Sequence, residues 1–289
     1  MPHGNENTKN HILDATLVPA YAAPITNSRN AMGSSAVSDS VRQQFGAVAA
    51  NYAVSAVHAS GADLAQLVEA AGVTGETRAL DLGSGAGHTA MAIAAAGAKE
   101  VIGVDLTPEM VGVATELAKG RGLENVAFRL GDVTALEFED ASFDVVTSRF
   151  SAHHYNDPVP ALAEAFRVLR PGGVFLLVDC VAPEDAALDT FLQTFEILRD
   201  PSHVRDWRAS EWLRMCANAG FAGRVLLRSE VVLDGADWVK RMRTPETKVA
   251  MLRELFAEAN PAQRRAFDLR EEPWGLSIPI ALIEGRKPA

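Results

Sequence analysis

Ala79-Leu80-Asp81-Leu82-Gly83-Ser84-Gly85-Ala86-Gly87-His88 decides how this chain folds. An apolar strand ends around Asp81, three alternating glycines turn the backbone, and the Ala-rich run 89–96 carries it on as a helix. Glycine permits the left-handed torsions of a tight turn and leaves bare backbone against which a ligand can lie. A dinucleotide-binding corner, G-x-G-x-x-G/A, would place its third small residue at position 88. That residue is His88, and the third glycine arrives one step earlier, at Gly87. The pattern is D-x-G-x-G-x-G.

Outward from this corner, short apolar runs at 78–82, 100–104, 126–130, 143–147 and 174–178 alternate with helical stretches such as 108–120 and 160–169. In the latter, Leu162, Phe166 and Leu169 share one face, and Pro171-Gly172-Gly173 stops the helix before the fifth strand. Strands separated by helices imply parallel pairing through crossovers, hence an α/β fold with a doubly wound, mostly parallel seven-stranded sheet. The runs 224–233 and 276–284 supply the last two strands. Residues 181–210 and 235–271 read as helical, with Leu188, Phe191, Leu192, Phe195 and Leu198 on one stripe. Segments at about 181–215 and 235–272 are expected to form a lid over the carboxyl edge of the sheet. Before the domain (41–289), residues 1–40 read as a flexible leader rich in Asn, Ser, Thr and Ala; a signal peptide at 12–23 is the weaker reading, since Asp14 and Pro19 break its apolar core.

The 289 residues carry 48% hydrophobic and 22% charged residues and a net charge of −10. No segment concentrates Lys or Arg, so nucleic acid is not an expected partner. No apolar run approaches the roughly 20 residues that span a bilayer, so no membrane partner is expected. The two cysteines, Cys180 and Cys216, form no C-x-x-C pair, which suits a reducing cytoplasm and predicts neither zinc site nor disulfide.

Asp105 closes the second strand eighteen residues beyond Gly87. A carboxylate there can accept both hydroxyls of a ribose, or it can cap the helix opening at Thr107-Pro108-Glu109. Gly131-Asp132-Val133 closes the third strand and, taken alone, is a turn signal. Together with Phe45…Tyr52, Asp105…Pro108-Glu109-Met110 and Ala165-Phe166-Arg167-Val168-Leu169-Arg170-Pro171-Gly172-Gly173, the glycine corner resembles the class I S-adenosylmethionine (SAM) methyltransferases over about residues 41–180. The resemblance is to their small-molecule branch, the ubiquinone/menaquinone C-methyltransferase-like enzymes. It implies a Rossmann-like domain using SAM and releasing S-adenosylhomocysteine. It also implies that Asp132 accepts from the adenine amino group, that Asp81 lies near the ammonium of the cofactor, and that Tyr52 encloses its carboxylate end. Gly83, Ser84, Gly85 and Gly87 form the cradle, and Leu106, Met110, Val133 and Ser148 complete the expected site, although a Met at helical spacing also suits ordinary core.

Ligands of a doubly wound sheet bind outside the carboxyl ends of the strands. The loop Ser148-Arg149-Phe150-Ser151-Ala152-His153-His154-Tyr155-Asn156-Asp157 therefore faces the transferred group. It lacks the Asn/Asp-Pro-Pro-Tyr/Phe motif of amino methylation, a catalytic Cys, and an acidic cluster in its opening residues for Mg²⁺. The expected acceptor is a small molecule, with O-, N- and C-methylation open and no metal required. His153 and His154 are the base candidates, because an imidazole near pKa 6.5 can take a proton at neutral pH; either can instead bond backbone. Arg149 can meet an acidic substrate group or hold the loop through an ion pair. Pro201-Ser202-His203-Val204-Arg205-Asp206-Trp207 reads as a helix-connecting turn, with His203 and Arg205 as alternative lid contacts. Phe191, Phe195, Trp207, Trp212 and Trp238 read as lid core, with one or two reaching the acceptor pocket. The rival functions are a SAM-binding protein that catalyses a rearrangement or acts as a sensor, and an NAD-dependent oxidoreductase. A homodimer is open.

Overall fold

The computed structural model describes residues 36–53 and 61–289, with side chains in the first segment for 37–46. Helix α1 (Ala36–Ala53) thus begins within the segment assigned to the leader; the rest of that leader lies outside the described residues. The expected strands all form: β1 (Arg78–Leu82), β2 (Glu100–Asp105), β3 (Val126–Leu130), β4 (Phe143–Arg149) and β5 (Leu169–Cys180). Between and before them lie α2 (Ala62–Ala71), α3 (His88–Ala95), α4 (Pro108–Gly120) and α5 (Pro158–Val168). Helix α5 has Pro158 in its first turn and Asp157 accepting from the Val159 amide at 2.9 Å, and it ends at Val168, three residues ahead of Pro171.

The sheet runs β3-β2-β1-β4-β5-β8-β6. β1 to β5 are parallel, while β8 (Trp274–Arg286) lies antiparallel between β5 and β6 (Ala222–Asp234). A two-residue strand, β7 (Arg270–Glu271), pairs with the start of β8 and adds an eighth to the seven expected. β1 and most of β5 are buried on both faces, which explains the unbroken apolar run 174–178 in β5 and, apart from Asp81, the apolar residues 79–82 in β1.

One core covers one sheet face around Leu80, Val146, Leu162 and Phe175; another covers the opposite face around Leu67, Ile93, Val101 and Leu176. A third joins α6 (Ala186–Arg199), α8 (Gly235–Arg241), α9 (Glu246–Ala257) and the residues after α10 (Pro261–Ala266) through Phe191, Phe195, Trp238, Phe256 and Phe267. This cluster is drawn largely from the segments expected to form a lid. The lid assignment at 181–215 reaches too far: α7 (Ala209–Asn218) packs Trp212 and Cys216 into the sheet core, because its apolar stripe faces β6 and β8. Between α6 and α7 the residues 200–208 form no helix, as the connecting-turn reading expects.

Candidate active site

All three glycines of the corner take left-handed torsions, φ +61° at Gly83, +50° at Gly85 and +82° at Gly87. Two of them are also sterically required. A Cβ on Gly83 would lie 2.7 Å from the Ser151 side chain, and one on Gly87 would lie 2.5 Å from the Phe128 ring. Phe128 blocks Gly103 in the same way, so one ring from β3 wedges the corner against β2. Space opens only above Gly85, where a Cβ would meet nothing within 4 Å.

Around that opening the chain places polar groups. Asp105 Oδ2 accepts the Gly85 amide at 2.8 Å, and its Oδ1 accepts the Thr107 amide at 2.9 Å. Thr107, rather than Asp105, is the residue that caps α4. Burial raises the Asp105 pKa, and the amide bonds oppose that rise. The Ser84 hydroxyl oxygen is buried without a hydrogen-bond partner among the described residues. Bare backbone, an anchored carboxylate and an orphaned hydroxyl fit the ribose and amino-acid portions of SAM.

Asp81 pairs in register with Thr147 of β4 and accepts its hydroxyl at 2.7 Å. Burial lifts the Asp81 carboxyl to about 7, against the Thr147 bond and the charge of Arg149. Asp132 Oδ1 accepts both the amide and hydroxyl of Thr134, at 2.8 and 2.7 Å, in an Asx turn that holds the loop after β3. Leu106 and Val133 are half-buried at the ends of β2 and β3. Met110 is 2% exposed, which places it in the core. The Ser148 hydroxyl joins those of Ser151 and Tyr155, at 2.9 and 3.3 Å, directly below Gly83. Tyr52 lies in α1, and its side chain falls outside the described residues.

The two histidines separate. His153 Nδ1 pairs with Asp179 Oδ1 at 2.7 Å, and its amide donates to Asp179 Oδ2 at 3.1 Å. Burial alone would lower its pKa, but Asp179, with the charges of Asp206 and Glu196, lifts it to about 9. His154 Nδ1 meets the Ser202 carbonyl at 3.0 Å, and the ring sits edge-on to Phe45 at 4.8 Å. Burial and the adjacent His153 charge hold His154 at about 4. His154 is therefore neutral at pH 7 and His153 is an imidazolium, so neither has the unperturbed pKa that the sequence alone suggests.

His153 and His154 line a cavity of about 70 Å³ with Phe45, Phe150, Val231, Leu233, Trp238 and Ile278 as its apolar wall, and Cys180, Glu196, Arg199, Asp206 and Arg241 as its remaining lining. Phe150 is held at φ +51°, a left-handed torsion that is uncommon for residues with a side chain. Of the five aromatic residues proposed for the lid, Trp238 reaches the cavity, Phe191 and Phe195 fill the lid core, and Trp207 and Trp212 belong with the sheet core. Arg149 points away from substrate: its Nε meets Asp63 Oδ2 at 2.5 Å in a buried pair that ties β4 to α2. The sequence reading missed Asp179, Glu196 and Asp206. A carboxylate closing the apolar run 174–178 was the available signal for Asp179. Among the described residues no group of three or more His, Cys, Asp or Glu side chains is placed to hold a metal ion, and no helix is long and apolar enough to cross a membrane.

A family described as a methyltransferase domain matches residues 74–220. The uncharacterized methyltransferase YcgJ of Bacillus subtilis is 39% identical over 80% of this chain and 92% of its own length. The crystal structure of YcgJ superimposes with a TM-score of 0.75 over 78% of this chain and 98% of that one, at 38% identity. The uncharacterized protein YafE of Escherichia coli is 37% identical over 68% of this chain and 94% of its own. The ubiquinone/menaquinone biosynthesis C-methyltransferase UbiE of Bdellovibrio bacteriovorus is 37% identical over 39% of this chain and 48% of its own.

Proposed function

Because this chain belongs to the methyltransferase domain family, as a class I SAM-dependent methyltransferase, we propose that it methylates a small, largely apolar molecule held beside His153. One observation carries this reading: open backbone at Gly85, with its anchored carboxylate, and a His–Asp dyad in an apolar cavity both sit on the carboxyl edge of the sheet. When bound, SAM supplies an electrophilic methyl group on a sulfonium centre. Asp105 would hold the ribose hydroxyls and Gly83, Ser84, Gly85 and Gly87 the backbone cradle. Asp81 would face the ammonium, with Asp132, Leu106 and Val133 around the adenine. Ser148 shapes the floor below Gly83 through its hydroxyl bonds.

Much of the rate in such a transfer comes from holding the attacking atom in line. The side chains lining the cavity would restrict the acceptor and so supply that alignment. His153 would take the proton of the acceptor at Nε2, since Asp179 engages Nδ1 and fixes the ring. Its pKa near 9 makes the base form scarce at neutral pH, so turnover should climb as pH rises toward 9. His154 acts structurally, joining the loop after β4 to the Ser202 carbonyl and to Phe45 of α1. Calorimetric titration with SAM, S-adenosylhomocysteine and NAD in parallel tests the donor assignment. Micromolar binding of both sulfur compounds with NAD silent is expected, and silence from both on folded protein overturns the reading.

A further inference from the structure

The segment Pro201–Trp207 enters the cavity wall at one place, Asp206. This side chain is 1% exposed, and its Oδ2 is buried with no hydrogen-bond partner among the described residues. Its backbone, by contrast, is fixed: the amide donates to Gln193 Oε1 at 3.0 Å and the carbonyl accepts from Gln193 Nε2 at 2.8 Å. The fold thus anchors the residue from behind and leaves the head of its side chain unsatisfied at a cavity wall. A buried oxygen without a partner is costly, and a native structure retains one where a ligand or water completes it.

The other charged groups lining the cavity are engaged. His153 is paired through Nδ1 with Asp179, which lies behind the wall, at 2.7 Å, and Glu196 lies 3.8 Å from Arg199, whose Nε also reaches the Trp238 carbonyl at 3.3 Å. Arg241 likewise has partners. Burial, reinforced by the neighbouring Glu196 charge, pushes the Asp206 carboxyl well above the ordinary range. A carboxyl oxygen accepts a hydrogen bond in either protonation state.

We infer that Asp206 is the specificity element of the acceptor cavity, selecting molecules that carry a hydroxyl or amine donor on an apolar body. This rests on the cavity being the acceptor site. The partner is recognised at its polar end by Asp206 and at its apolar body by Phe45, Phe150 and Trp238.

The test titrates protein saturated with S-adenosylhomocysteine with three matched probes, phenol, benzylamine and toluene, by calorimetry. Wild type should bind phenol and benzylamine at least tenfold more tightly than toluene. Asp206→Leu should bring phenol and toluene within twofold of each other. Asp206→Asn preserves shape if the leucine variant does not fold; it should keep the phenol preference, through its amide oxygen, and lose tenfold on benzylamine. Equal affinity for phenol and toluene in wild type, no probe binding at all, or a donor preference that survives Asp206→Leu overturns the inference while leaving the cofactor reading intact. Failure of S-adenosylhomocysteine itself to bind overturns the proposed function and this inference together.

Discussion

Replacing Asp179 by Asn tests the His153 dyad most directly. In the native protein the imidazole is buried, yet its pKa stands at about 9 instead of the ordinary 6.5, because Asp179 holds the charged form at 2.7 Å. At 1.36 kcal/mol per pH unit, the interval from 6.5 to about 9 corresponds to roughly 3 kcal/mol of preference for the imidazolium. Asn keeps the shape and removes the charge, so burial is left to dominate and the pKa should fall to 6.5 or below. The folded pKa exceeds the unfolded one, so the stability this group contributes is fully present below pH 6.5 and disappears as pH rises through 9. Wild type should therefore lose up to roughly 3 kcal/mol of unfolding free energy across pH 6.5–9 from this group. The Asn variant should lack that slope. Its turnover, lower overall because Nδ1 loses its anionic partner, should reach its plateau at least two pH units earlier. Ring-proton NMR titration, urea unfolding at several pH values and the pH dependence of kcat read the three consequences separately. A His153 signal still titrating above pH 8 in the Asn variant would refute the assignment of the shift to Asp179.

Three further changes address other parts of the site. Asp105→Ala should weaken SAM binding by about 1.5–3 kcal/mol, the range for a charged hydrogen bond, and an unaltered calorimetric isotherm would remove Asp105 from the ribose. Gly87→Ala forces a Cβ to 2.5 Å from the Phe128 ring at φ +82°, so urea unfolding should show a loss of about 1–3 kcal/mol, smaller in a Phe128→Leu background. Full stability in the single variant would contradict the crowding. Arg149→Met leaves Asp63 buried beside an apolar chain and should cost about 3–5 kcal/mol. Adding Asp63→Asn should recover part of that loss, and no recovery would mean that the pair does not act as a unit.

The sheet was legible because its central parallel strands are largely buried on both faces, which forces mainly apolar runs between helices. The glycine corner was legible because left-handed torsions admit few residues besides glycine. Two signals were ambiguous for physical reasons. Trp212 and Trp238 look alike at helical spacing, yet one helix packs on the sheet and the other over the cavity, a choice made by tertiary contact. His153 and His154 are adjacent and chemically identical in sequence. Their pKa values part, to about 9 and about 4, because Asp179, distant in the chain, raises His153 while burial and the neighbouring His153 charge lower His154. Asp206 escaped notice because an Asp in a connecting turn normally faces water, and here the turn is folded under the lid.

The order in which the chain emerges during synthesis gives the antiparallel strand β8 a role in timing. β8 is made after β6 and after every lid helix, yet it must insert between β5 and β6. The glycine corner and Asp105, drawn from residues made early, can assemble on a growing polypeptide. The cavity cannot, since Ile278 of β8 is part of its wall and β6 stays detached from the sheet until β8 arrives. A ribosome-bound intermediate would then have its donor half organised and its acceptor half open, with the aromatic residues of the lid uncovered. Such an intermediate is a natural client for a chaperone, and long-range closure of this kind is the step expected to limit folding.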